Sequence, residues 1–265
     1  MNGGIYMKKQ LNKTNTFLNA ERATTHLQMH KALRGDFGMH IPEHEPKIPF
    51  LKKYPRDPGS AITHFIGVLM AFFAAFPLLI KAAILHNPVY FISLAIFAFS
   101  MVGLYSASTI YHTFGLSEKI HLRLKRIDHM MIYVLIAGTY TPICLIALGG
   151  KIGLGLFALV WGIALIGVVQ CIFFINCPKW VSAVIYIAMG WCCVLAFTQI
   201  IDALSATAFH WLLAGGIIYT IGGVIYALKL PILDRIHKNF GSHEVFHLFC
   251  LGGSLCHFVV MFFLL

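Results

Sequence analysis

The chain has 265 residues, 58% of them hydrophobic and only 11% charged, with a mean hydropathy of +0.78. Soluble domains carry about a quarter charged residues, so lipid is the expected solvent for most of this chain. The net charge of +10 does not point to nucleic acid, because the basic residues lie between apolar runs rather than on a soluble domain.

Residues 1–59 read as a separate polar, flexible cytoplasmic tail. Pro42, Pro46, Pro49, Pro55 and Pro58 interrupt its second half, and Lys and Arg are scattered through it. Its histidines, His26, His30, His40 and His44, are irregularly spaced and read as solvated side chains. No apolar h-region opens the chain, so no cleavable signal peptide is expected.

From residue 60 long apolar runs alternate with short polar links. A span needs about 20 apolar residues, and seven such runs lie near 60–83, 88–112, 128–148, 152–175, 181–201, 209–230 and 243–265. The expected fold is therefore all-α, an integral bundle of seven transmembrane helices covering 60–265. Pro77 and Pro142 fall inside the first and third spans, where they kink a helix. Thr139 and Thr141 are placed to satisfy the carbonyl that Pro142 frees. On the sixth span Gly215-Gly216 and Gly222-Gly223 recur after seven residues, a small-residue face for close packing inside the bundle. Seven cysteines (144, 171, 177, 192, 193, 250 and 256) lie in or beside spans without a CxxC, and read as free apolar thiols.

An odd number of spans puts the termini on opposite sides. Counting Lys and Arg from Lys47 onward, one side has twelve, among them Lys119, Arg123, Lys125, Arg126 and Lys179, and the other only Lys81 and Lys151. The N-terminus is expected in the cytoplasm and the C-terminus outside.

With that orientation, His112 ends the second span, Asp128 opens the third, and His243 and His247 open the seventh, all at the cytoplasmic side. Ionisable groups in spans are costly and usually functional. His243 and His247 are four apart and share a helical face, as do Ser108 and His112. Two imidazoles on one helix and a third from another form a three-ligand zinc-type site with an open fourth position, the pattern of catalytic zinc. Asp128 is either a fourth ligand or, more usefully, the group that holds the water at the open position and acts as general base. His64, one turn into the first span, reads as a donor to a ligand or a substrate contact. His129 points away from Asp128, and His257, about 15 Å deeper than His247, reads as a cavity or core histidine. The bland alternative is a polar network that joins helices without an ion.

At these residues the chain resembles the bacterial hemolysin III family, relatives of the progestin and adipoQ receptors. The matching motifs are Ser108-Thr-Ile-Tyr-His112, Arg126-Ile-Asp128-His129 followed by Ala137-Gly-Thr-Tyr-Thr-Pro142, and Ser242-His243-Glu-Val-Phe-His247 with the later His257. The resemblance covers nearly everything from about residue 55 onward, leaving the basic tail outside. It implies one intramembrane zinc ion held by His112, His243 and His247, with Asp128 on the water and Ser108 assisting. The wider superfamily includes alkaline ceramidases, so the resemblance implies a multi-pass protein of the bacterial cytoplasmic membrane that hydrolyses a lipid amide or ester. The alternative it implies is a cytolytic, pore-forming or receptor-like protein whose metal is structural. A membrane lipid is the expected substrate or ligand.

Overall fold

The computed structural model describes residues 55–114, 117–174, 178–228, 230–234 and 240–265. The tail to residue 54, with its histidines, and Cys177 lie outside the described residues. Seven helices long and apolar enough to cross a membrane follow one another: α1 Pro58–Ile84, α2 Pro88–Thr113, α3 Glu118–Leu148, α4 Gly150–Phe173, α5 Lys179–Ala203, α6 Ala206–Leu228 and α7 Ser242–Phe263. They stand antiparallel in sequence order, each packed on the next, and α7 closes against α1. Phe73, Phe99, Ile166 and Leu195 are among many large apolar side chains that remain well exposed. An exterior of that kind is stable against hydrocarbon, not water, and helices satisfy their own backbone there. The protein is a multi-pass membrane protein.

At two of the links local chemistry stops one helix and starts the next. Asn87 accepts from Val89 N–H at 2.9 Å ahead of Pro88 at the start of α2, a side-chain cap followed by the residue with preset helical φ. Gly149 and Gly150 both have positive φ, 57° and 52°, which lets α4 start directly after α3.

Three details differ from the hydropathy reading. The third helix begins at Glu118, not 128, so Lys119, Arg123, Lys125 and Arg126 lie on α3 rather than in a loop. Hydropathy marks where a helix leaves the apolar layer, whereas backbone hydrogen bonds continue through the polar turns beyond it. Beyond Pro142, α3 continues as a wide π turn over Ile143–Leu148, a rare conformation found mostly as a single turn within an α-helix. Thr139 and Thr141 donate to the carbonyls of Leu135 and Ala137 at 2.8 and 2.9 Å, each four residues back, and not to the Gly138 carbonyl that Pro142 leaves without its helical donor.

The glycine face of α6 is an internal seam. A Cβ on Gly222 would stand 2.7 Å from Phe249 Cβ of α7, and one on Gly215 would meet His257 and Cys256 at 2.9 and 3.1 Å. Gly223 faces Ile187 of α5, while nothing lies within 4 Å of Gly216. Among the described residues the cysteines are free.

Candidate metal centre

The last turn of α2 and the first turns of α1 and α7 lie at the same end of the bundle, with Asp128 of α3 nearly three turns inside its helix. His112 and His247 are buried and His243 is half-buried. One nitrogen from each lies within 4.8 Å of one from either partner. Ring centroids are 4.5 Å apart for His243 and His247, which the four-residue spacing dictates, and 5.0 and 5.3 Å between these rings and His112.

Hydrogen bonds reveal which nitrogen of each ring points inward. His112 Nδ1 lies 3.2 Å from Asp57 Oδ2. Opposite an ionised carboxylate, which only accepts, Nδ1 carries the proton and Nε2 the lone pair. Thr63 Oγ1 donates its one proton between the carbonyls of Gly59 and Ser60, at 2.9 and 3.0 Å, and so accepts from His247 Nδ1 at 3.1 Å. His247 therefore also presents the Nε2 lone pair. His112 Nε2 and His243 Nε2 stand 3.2 Å apart. Two nitrogens bound tetrahedrally to zinc at about 2.0–2.1 Å are separated by about 3.3 Å.

Several buried ring nitrogens around this point have no hydrogen-bond partner among the described residues: His243 Nδ1 and both nitrogens of His64. Buried polar atoms are rarely left so without an ion, water or ligand to meet them. The donor set and its spacing thus suit a zinc-type cation.

The other expected residues are placed as follows. Asp128 is buried on α3, outside the three-histidine group, with Ser108 facing it. His64 is buried with its ring stacked on His247, 3.5 Å between centroids and 10° between planes. His129 Nδ1–H donates to the Lys125 carbonyl at 2.9 Å, and against the expectation that it points away, the same nitrogen lies 3.7 Å from Asp128 Oδ2. His257 is buried away from the cluster, stacked at 5.3 Å on Tyr219. Asp57 and Thr63 were not among the expected site residues. An Asp before Pro58 reads as a helix cap, and a Thr in a span reads as a helix-bonded hydroxyl.

The start of α1 ties the site together. Asp57 and Arg56 N–H groups donate to the carbonyls of His112 and Thr113 at 3.0 and 3.2 Å. Ser60 donates to Glu244 Oε1, whose other oxygen accepts from Gly241 N–H at 2.8 Å at the start of α7. Beside the cluster runs an apolar cavity of about 120 Å³ between α3, α5, α6 and α7. Tyr140, Tyr186, Trp191, Tyr226, Phe246 and Cys250 line part of it, and the Tyr226 ring is 6.0 Å from that of His243.

A seven-helix membrane bundle with three converging imidazoles at one end is the class these features define. Comparison with known proteins gives the family: residues 52–258 match the family described as Haemolysin-III related. The chain is 39% identical over 206 residues to a Hemolysin-3 homolog of Bacillus subtilis (strain 168), covering 77% of this chain and 92% of that one. It is 36% identical over 209 residues to Hemolysin-3 of Bacillus cereus, covering 78% and 91%. The chain belongs to the haemolysin-III related family.

Proposed function

We propose that this protein is a zinc-dependent hydrolase of a lipid amide or ester, with its site near the cytoplasmic face of a bacterial membrane. The observation that carries this reading is the convergence of His112, His243 and His247 with two Nε2 lone pairs directed inward. The twelve-to-two bias of basic residues supports the orientation. Zinc at such a site polarises a carbonyl and lowers the pKa of water to about 7.

The protein's own groups supply the rest. Asp128, close to Ser108 and buried, takes the proton of the attacking water and returns it to the departing amine or alcohol. Ser108 Oγ, the hydrogen-bond partner of Asp128, orients the water or turns to donate to the developing oxyanion. The apolar cavity beside Tyr226 accepts part of an acyl chain and keeps bulk water away. The test is hydrolysis of a panel of ceramides, other lipid amides and esters by protein reconstituted in liposomes. Hydrolysis is expected, lost on chelation and in His112→Ala. No hydrolysis of any substrate by metal-loaded protein, or hydrolysis indifferent to both changes, rejects the reading.

The name Hemolysin-3 of the Bacillus cereus relative favours a second reading, membrane permeabilisation with a structural metal. An apolar exterior on the helices other than α3 supports a resident of the membrane over a secreted toxin. Dye release from liposomes at high protein loading would support the second reading, and full retention would reject it.

A further inference from the structure

We propose that Asp57 and Thr63, at the start of α1, are positioning residues of the metal centre: they hold His112 and His247 as Nδ1–H tautomers and aim both Nε2 atoms at one point. This rests on the metal reading above and adds residues from a helix that supplies none of the three ligands.

Two independent geometries carry it. Asp57 occupies the N-cap position of α1, where a carboxylate ordinarily accepts from the N–H groups of its own first turn. Here it makes no such bond. Its carboxylate is turned instead onto His112 Nδ1 at 3.2 Å, with Arg56 Nε 3.5 Å from the same oxygen. The backbone on either side is tied down, since Asp57 N–H meets the carbonyl of His112 itself at 3.0 Å and Asp57 O accepts from Ala61 at 2.9 Å. Thr63 acts differently. Its single proton is occupied by the carbonyls of Gly59 and Ser60, which leaves the hydroxyl able only to accept from His247 Nδ1.

A ring fixed at Nδ1 can neither flip nor change tautomer without losing that bond, which is buried at Thr63 and part-buried at Asp57. Outer partners of this kind orient metal-ligating histidines and raise their basicity, and their loss costs about 10–100-fold in metal affinity. Among the described residues His243 has no such partner, its Nδ1 making no hydrogen bond. It is placed by sharing a helix with His247 and is the least restrained of the three.

The experiment is zinc affinity of full-length protein in detergent, measured by competition with a chromophoric chelator, beside the visible spectrum of the cobalt-substituted protein. Asp57→Ala and Thr63→Val are expected to bind zinc about 10–100-fold more weakly and to alter the cobalt bands. Thr63→Ser restores the acceptor and the wild-type affinity. Ser60→Ala provides the structural control. It breaks the side-chain bond from α1 to Glu244 but keeps the Ser60 carbonyl that faces Thr63 and His247, so it lowers the melting temperature and leaves affinity unchanged. Wild-type affinity in both Asp57→Ala and Thr63→Val overturns the proposal. So does an equal loss in Ser60→Ala, which would reduce the contacts to helix packing. A wild-type protein that binds no zinc overturns the metal reading itself, a result distinct from either.

Discussion

His112 Nε2 and His243 Nε2 lie 3.2 Å apart although 131 residues separate them in the chain. In the absence of an ion, one of the two must donate to the other. With an ion between them both act as donors of lone pairs, at a separation that tetrahedral zinc requires. The expected stoichiometry is one zinc per chain. His112→Ala and His247→Ala are expected to reduce it to near zero while leaving helical content intact, because each removes one ligand and no span. Metal analysis of purified wild-type and variant proteins checks this, and full occupancy in both variants would contradict it.

Acid should release the ion. Imidazole binds metal only when neutral, and its ordinary pKa is about 6.5. Protons therefore compete for the empty site increasingly as pH falls through that range. Retained zinc is expected to be complete at about pH 8 and to be lost only as the medium is taken below the ordinary imidazole range, with proton uptake accompanying release. Dialysis across this range followed by metal analysis gives the profile. A metal content constant into strong acid would rule out ligation by histidine.

The three-histidine cluster was legible because its information is periodic. Four residues separate His243 from His247, and alternation of seven spans alone puts His112 at the same end. The small-residue seam of α6 was legible for the same reason. Asp57 was not, since an acid before Pro58 already has a sufficient local explanation as a cap; only the coordinates show the carboxylate turned away from that duty. Thr63 was hidden likewise, because whether its hydroxyl reaches another helix depends on the packing of α1 against α7. The start of α3 was misplaced by ten residues because a polar helix extension leaves no trace in hydropathy. The wide turn after Pro142 is set by the neighbours that accommodate it.

Asp128→Asn separates binding from chemistry. The carboxylate is outside the ligand group, so zinc content is expected to remain at the wild-type level. An amide of the same shape cannot take a proton from water, and general acid–base groups contribute about 10²–10⁴ in rate. Hydrolysis is expected to fall by a factor within that range. Loss of zinc together with activity would make Asp128 a ligand. Activity retained within a few-fold would remove it from the reaction.

The seam between α6 and α7 gives a test of the fold that does not involve the metal. A side chain at Gly222 would drive its Cβ to 2.7 Å from Phe249 Cβ, an atom fixed to the backbone that no rotamer change can withdraw. Relief requires α6 and α7 to separate, and overpacking of this kind costs about 1–3 kcal/mol. α7 carries His243 and His247, so the displacement also shifts two ligands relative to His112. Gly222→Val is thus expected to lower both the melting temperature and the zinc affinity. Gly216 is six residues earlier on the same helix, with nothing within 4 Å of a Cβ, and alanine there is favourable by about 0.5–1 kcal/mol through helix propensity alone. Gly216→Ala is expected to bind zinc normally and to melt at or slightly above the wild-type temperature. Thermal unfolding in detergent of the two variants, side by side, distinguishes an internal seam from a dimer face. In the seam the loss at Gly222 is independent of protein concentration, whereas a concentration-dependent loss would move this face to the outside of the bundle.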